Sequence, residues 1–326
     1  MSYISGGLIE ASDYNGFVGN TTAGLNRVWS TGSADYGYGQ TTLATVSVGN
    51  LVTATEWASL VNTLATTANH QGTTITSRTA PVTGDIISIL ANISTDITSL
   101  TNNRGNAVAS GTQFTAWTGT SSKTSSTGSG SSAWTITFTH TITWTSANAA
   151  RYFFNAGGRI KWETSKTSTG QLADAEWNDL ANTLVGDIFI TGGTLTQTIA
   201  GTAYTGTTKS GGTGTPTTLA TTTGWYDLTT SNTTLYQQFA DTAPYTGQSI
   251  LLRARTAGSG TQLILETLWN DPGGSAPGSS DVISGGTATS GITFGTAPTT
   301  VVTYFPPSTT YLTNTWGTPT IAATTV

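Results

Sequence analysis

Residues 133–145 read AWTITFTHTITWT, an unbroken alternation. Trp134, Ile136, Phe138, His140, Ile142 and Trp144 fall on one side, and Thr135, Thr137, Thr139, Thr141 and Thr143 on the other. A helix cannot sort those residues onto two faces, because its side chains repeat every 3.6 residues, whereas a strand repeats every two. The stretch therefore predicts a long strand with one face on a core and a threonine ladder on the other. The rest of the chain fits such a ladder. Only 8% of its residues are charged, and Thr alone outnumbers the 27 Lys, Arg, Asp and Glu (11 + 16). β-Branched Thr suits a pleated, half-wet surface. Ten Trp, eleven Tyr and nine Phe supply enough bulk for a core and argue against a disordered hydroxyl-rich chain.

Further strands come from the same period. SILLRARTAG and TQLILETLWND form a hairpin pair across Gly258-Ser259-Gly260, with Ile250, Leu252 and Ala254 opposed to Leu251, Arg253 and Arg255. IFITGGTLTQTIAGTAY gives short strands broken by glycines, VVTYF a late strand stopped by Pro306-Pro307, and TWGTPTIAATTV an extended tail. Strand number and spacing predict a mainly β protein, β-sandwich-like, with a few short amphipathic helices.

Helical signals are fewer. Thr53 and Glu56 form a capping box ahead of Trp57, Leu60, Val61 and Leu64, which share one helical face, and Gly72 supplies a stop. ADAEWNDLANTL, from Ala173, repeats the pattern of TATEWASLVNTL with Trp177, Leu180 and Leu184, so a short Trp-bearing helix is expected over 173–184. Between 84 and 106, Ile86, Leu90, Ile93, Ile97 and Leu100 are spaced +4, +3, +4, +3. Two readings fit that stripe: a helix packed on its own chain, or the seam of a homotrimer, since branched residues favour three or more strands. SSKTSSTGSGSSA reads as a linker, which divides the chain into 1–120, a Gly-rich segment with helices for assembly or attachment, and 121–326, the β-rich part.

Charge is concentrated in one place. ARYFFNAGGRIKW, residues 150–162, holds three of the eleven Lys and Arg. RYFF reads as a strand, NAGG as a turn and RIKW as the return strand. Tyr152, Phe153 and Phe154 would anchor, Asn155, Gly157 and Gly158 would turn, and Trp162 would face the core. Arg151, Arg159 and Lys161 would form the polar face, in contact with solvent or a neighbour's carboxylates.

A net charge of −5 argues against nucleic acid, which needs clustered Lys and Arg. There is no Cys, hence no disulfide framework or thiolate zinc site. No apolar run is long enough to span a membrane and no export signal is visible, a pairing that suits a protein assembled in a host cytoplasm and released by lysis. His70 ends a helix and His140 sits on an apolar strand face; capping and core packing account for both, against an ion-binding role. Asp174, Glu176 and Asp179 cluster at a helix start, where the dipole welcomes them; a paired acid/base role is the rival reading. No phosphate loop, nucleophile elbow or dinucleotide fingerprint is present, so no catalytic residue, metal or cofactor is expected. Trp225, Tyr226, Trp269 and Trp316 stand beside turns, where they either cap the sandwich or stack on a sugar.

ARYFFNAGG resembles the ARYFFN-[AS]-GG segment of virion structural proteins of tailed phages, notably T4-like cyanophages and relatives infecting marine bacteria. YGYGQTT at 36–42, the TATEWASLVNTL helix followed by NHQGT, and the AEWNDL helix are similar to the same family's companion pattern. The likeness covers about residues 36–185. The resemblance implies a virion component but not its location or a receptor; joined to the composition and the 86–100 stripe, it gives the expectation of a tail-fibre, baseplate or neck part that acts with copies of itself, a trimer for preference, and with other virion proteins. It carries no catalytic residues. The rival expectations are a receptor-binding module for host glycan, a capsid decoration protein, and a polysaccharide depolymerase.

Overall fold

The computed structural model describes residues 10–85, 92–120, 134–168, 172–243, 245–271 and 298–325. Helices come first: α1 (Ala11–Val18), the single turn α2 (Asn26–Trp29), α3 (Ala54–Gln71) and α4 (Ile93–Asn102). Strands β1 (Phe114–Thr120) and β2 (Trp134–Thr143) come next, then α5 (Ala147–Asn155), β3 (Arg159–Ser165) and α6 (Leu172–Asp179). The remaining strands are β4 (Asp187–Ile190), β5 (Gln197–Ile199), β6 (Thr202–Tyr204), β7 (Thr207–Ser210), β8 (Thr218–Leu219), β9 (Thr233–Phe239), β10 (Ser249–Ala257), β11 (Gln262–Asp271), β12 (Thr299–Phe305) and β13 (Thr320–Thr325).

The fold is mainly β, as the alternation predicts. Five strands pair in the order β1-β12-β3-β4-β7 and six in the order β13-β2-β11-β10-β9-β8, while β5 and β6 form a separate ribbon. All these pairings are antiparallel. On β2, Ile136, Phe138, His140 and Ile142 are buried while Thr135 to Thr143 remain half-exposed. They face a core shared with Ile160 and Trp162 of β3 and with Val302 and Tyr304 of β12, which makes the two sheets a sandwich. One bond crosses it: Trp162 Nε1 donates to Thr267 Oγ1 of β11 at 2.7 Å, so the buried indole costs no lost hydrogen bond. The β10–β11 hairpin turns at Gly258-Ser259-Gly260 with Ala257 opposite Gln262.

The helical residues build a second core. Thr53 Oγ1 accepts from Glu56 N at 3.4 Å, and Glu56 Oε2 accepts from Thr53 N at 2.6 Å, closing the expected capping box. Trp57, Leu60 and Leu64 pack with Tyr14 and Phe17 of α1 and with α4. Here the trimer seam is corrected. Ile93, Ile97 and Leu100 are at most 8% exposed and belong to this intrachain core, so they are not free to meet another copy. Ile86 and Leu90 lie outside the described residues, as does the expected linker at 121–133. The division at 120 is crossed as well: β1 pairs with β12, and Val28 and Tyr38 lie in the sandwich core.

The hairpin reading of 150–162 is half right. RIKW is strand β3, but RYFF is the second half of helix α5. Ser146 caps it, its Oγ accepting from Ala149 N at 3.0 Å. Ala149, Ala150, Phe153 and Phe154 then fall together on one helical face and are buried.

Candidate functional site

Helix α5 has two faces with different tasks. The apolar face enters the sandwich: Phe153 and Phe154 meet edge to face at 5.1 Å, both touch Trp144, and Phe154 stacks on Trp225 at 5.4 Å and 21°. The polar face receives the loop 31–40, TGSADYGYGQ. Arg151 donates from Nη2 to Thr31 O (3.1 Å) and Tyr36 O (3.0 Å), and from Nε to Ala34 O (3.2 Å). Asn155 Nδ2 lies 3.0 Å from both Tyr36 O and Gly37 O. The Tyr226 hydroxyl is 2.6 Å from Asn155 Oδ1 and 2.8 Å from Ala34 O and donates to one at a time. Burial pushes the pKa of that hydroxyl far up, so it stays a donor.

The same loop is gripped from the helical side. Tyr36 lies between two guanidinium groups, Arg27 at 3.5 Å and Arg104 at 4.0 Å from its ring centre. Arg104 also pairs with Asp35. Tyr38 donates to Arg104 O at 2.6 Å, accepts from Gln71 Nε2 at 2.8 Å, and meets His70 edge-on at 5.1 Å. His70 in turn bonds the Ala156 carbonyl, just past α5. Gln40 exchanges two bonds with the Thr313 backbone, at 3.0 and 2.8 Å. Gly39 is there for space: a Cβ would stand 2.4 Å from Tyr152 Cδ2. The loop is a keystone between the helical core and the sandwich.

The other residues expected to carry a role are placed differently. Gly157 has φ +93, which a side chain resists, and a Cβ on Gly158 would lie 2.5 Å from Phe153 O. Both glycines therefore turn the chain, but from helix to strand rather than between strands. Arg159 does not reach solvent. It is 7% exposed, with its guanidinium 4.4 Å from the Phe305 ring centre and 5.0 Å from that of Tyr204, and it donates to Ser110 Oγ at 2.7 Å. That burial lowers its pKa. Lys161 meets carboxylates, but of its own chain: Glu163 at 2.9 Å and Asp187 at 3.7 Å. Trp162 is buried as expected. Of the four turn aromatics, Trp269 and Trp316 are at most 1% exposed and Trp225 is 7%, so all three are part of the sandwich core. Tyr226 alone is half-buried at an opening.

That opening is a cavity of about 270 Å³ beside the keystone. Phe154, Asn155, Gly105 and Gln197 form buried parts of its lining, while Ala34, Thr194 and Asp227 lie exposed at its rim. Gly192, Gly193, Leu195, Asp35 and Tyr226 complete it. Gln197 Nε2 donates to Phe154 O at 3.1 Å and Gly105 O at 3.2 Å. Asp227 Oδ2 accepts from Gly224 N at 2.9 Å. Tyr226, one of the turn aromatics weighed as a sugar platform, is the sequence candidate that reaches this space; Asp35 and Asp227 carried no sign of it.

Among the described residues, one trio has metal-ligand proximity: Glu176, Asp179 and Asp241, whose ligand oxygens lie within 4.8 Å of one another. Burial raises the pKa of Glu176, and the charges of Asp241 and Asp179 raise it further. Asp241 joins the two residues read from sequence out of a loop that spacing could not connect to them. Both histidines are buried, and burial lowers each to about 4, so both are neutral at pH 7. No described helix is long and apolar enough to cross a membrane. No protein-family model, curated protein or solved structure matches this chain.

Proposed function

We propose that the chain is a structural component of a tailed-phage virion, a tail-fibre, baseplate or neck part, which works by assembling with copies of itself and with other virion proteins. One observation carries this reading. Two of the stretches that resemble phage virion proteins, 36–42 and 150–158, are distant in sequence yet dock on each other through Arg151, Asn155 and Tyr36. Motifs kept for turnover leave their reactive groups open to a substrate. Here the groups are turned on each other and on backbone carbonyls, which joins two cores into one rigid block. Rigidity of that kind suits a part that must hold its shape while neighbours bind. No catalytic step is assigned to it.

Surfaces for neighbours are present elsewhere. Val48 and Leu51, 91% and 90% exposed, stand in the loop before α3, and β2 presents a row of half-exposed threonines. Any trimer contact would use such surfaces instead of Ile93, Ile97 and Leu100. The chain would be made in the host cytoplasm and leave by lysis as part of the particle.

Immunogold labelling of intact particles tests this. Label at the tail tip, fibres or neck is the expected result, and label over the head would move the reading to capsid decoration. Particles that carry none of the chain would overturn it.

A further inference from the structure

The cavity beside the keystone is not filled by the fold's own side chains, and its lining is specific enough to name a ligand class. We propose that it binds one neutral sugar ring, free or as a unit of a longer saccharide. Size is the first argument. About 270 Å³ is just below the roughly 300–1,000 Å³ of sites for drug-sized ligands, which leaves room for one ring and not for an extended cofactor.

Charge is the second. Two carboxylates line the site, Asp35 and Asp227. Two guanidinium groups balance them: Arg104, paired to Asp35, and Arg151, bonded to Ala34 O at the rim. The formal sum is zero, which favours neither an anion nor a cation. Hydrogen-bonding capacity is the third. Asp227 spends one oxygen on Gly224 N and keeps the other at the exposed rim, to which Thr194 also contributes. A carboxylate is a strong acceptor for hydroxyl donors, and the threonine gives both donor and acceptor. Tyr226 adds aromatic surface for the ring's C–H face.

Glycine keeps the space open. A Cβ on Gly193 would sit 3.3 Å from Asp227 Oδ2 and 3.6 Å from Tyr226 Cβ, between two lining residues and clear of any backbone. A side chain there would plug the cavity and would need the Asp227 carboxylate to give by only a few tenths of an ångström. This inference does not depend on where the chain sits in a particle, so failure of the particle labelling leaves it standing, and the reverse holds too.

Saturation-transfer NMR on the purified full chain tests it, with glucose, galactose, mannose and N-acetylglucosamine at about 10 mM each, a concentration suited to millimolar affinity. At least one of the four is expected to bind. Gly193→Leu should abolish that signal while the chain keeps its folded circular-dichroism spectrum, and Asp227→Asn should weaken it about tenfold, the loss of one charge-assisted hydrogen bond. If Gly193→Leu fails to fold, Asp227→Asn at its exposed position carries the test. Tighter binding of an oligosaccharide than of its monosaccharide identifies a saccharide chain as the source; equal binding identifies the free sugar. Silence from all four sugars, an unaltered signal in Gly193→Leu or Asp227→Asn, or binding of lysine amide or arginine amide alone would overturn the proposal.

Discussion

TATEWASLVNTL and ADAEWNDLANTL share six residues at matching positions, yet the chain folds them differently. The first opens α3, an unbroken helix of 18 residues ended by Gly72 in the left-handed conformation. The second is α6, eight residues that widen into a π-helical turn at Leu180–Leu184. The residues just beyond each stretch decide the outcome. Thr67 and Ala68 can continue the first helix, whereas Gly186, at φ +72, leads the second straight into β4. In both, the Trp and the Leu pair face inward: Trp57 packs on Tyr14 at 5.2 Å, and Trp177 on Trp269 at 5.5 Å. The polar positions diverge. Glu56 closes a capping box, while Glu176 is buried and bonds Thr242, accepting from its backbone N at 3.4 Å. Asn62 is exposed, while Asn182 clamps the Lys166 backbone through both ends of its amide. The apolar spacing specifies a buried face; the polar residues take their roles from whatever lies beside them.

The largest test of this comparison removes each plug. Trp57→Ala and Trp177→Ala should each cost about 3–5 kcal/mol. Because the two residues sit in separate cores, Trp57→Ala should melt the helical signal ahead of the strand signal in far-UV circular dichroism, and Trp177→Ala should lower both together. Identical single transitions in the two variants would show that the cores are one cooperative unit.

Acid comes next, since each region holds one buried histidine. His70 and His140 have folded pKa values lowered to about 4, below the ordinary 6.5. The unfolded chain therefore binds more protons between those values, and stability is full above about pH 6.5 and falls as the pH drops to about 4. Each residue accounts for on the order of 3 kcal/mol of that loss. Neither ring nitrogen of His140 has a partner among the described residues, so His140→Leu should flatten the acid limb of a melting-temperature profile without harming stability at pH 7.

Smaller effects separate the two helix starts. Thr53→Ala removes the α3 cap and should cost about 1 kcal/mol, read as a lower denaturant midpoint with an unchanged slope. The glutamates sharpen the contrast by sign. The folded pKa of Glu176 is raised, so the stability linked to it is present at low pH and lost as pH rises through that value. Glu176→Gln should then raise the melting temperature at pH 7, with no gain at pH 3. Glu56→Gln should do the opposite and is the smallest difference expected, costing about 0.5 kcal/mol at pH 7 through the lost charge at a helix start.

The sequence was most readable where one period ruled a whole element. Strand β2 and the β10–β11 hairpin follow from alternation, and α3 from its box and spacing, because those signals are local and repeated. RYFF was misread because four residues with three aromatics fit either period. The deciding signal lay upstream, in Ser146 as a cap followed by Ala147, Ala149 and Ala150, good helix formers that place the phenylalanines on the buried side. The keystone was legible only in pieces. YGYGQ and ARYFFN each stood out, but nothing in their spacing says that Asn155 reaches Tyr36, and Asp35, Tyr38 and Asp227 gave no sign of their roles. Aromatics at turns were weighed as ligand platforms, and three of the four became core because the sandwich reaches out to its loops.

The bond between Gln40 and Thr313 also sets an order in time. It spans most of the chain, and β2 likewise waits for β11 and β13 as its two neighbours. A ribosome delivers about 5–20 residues each second. The early helices can therefore form while the keystone loop has no partner and β2 has both edges bare, a state open to wrong pairing. The native block closes only after residue 325 has been made, so the protein is expected to mature after synthesis, slowly, and to be vulnerable to aggregation until its last strand arrives.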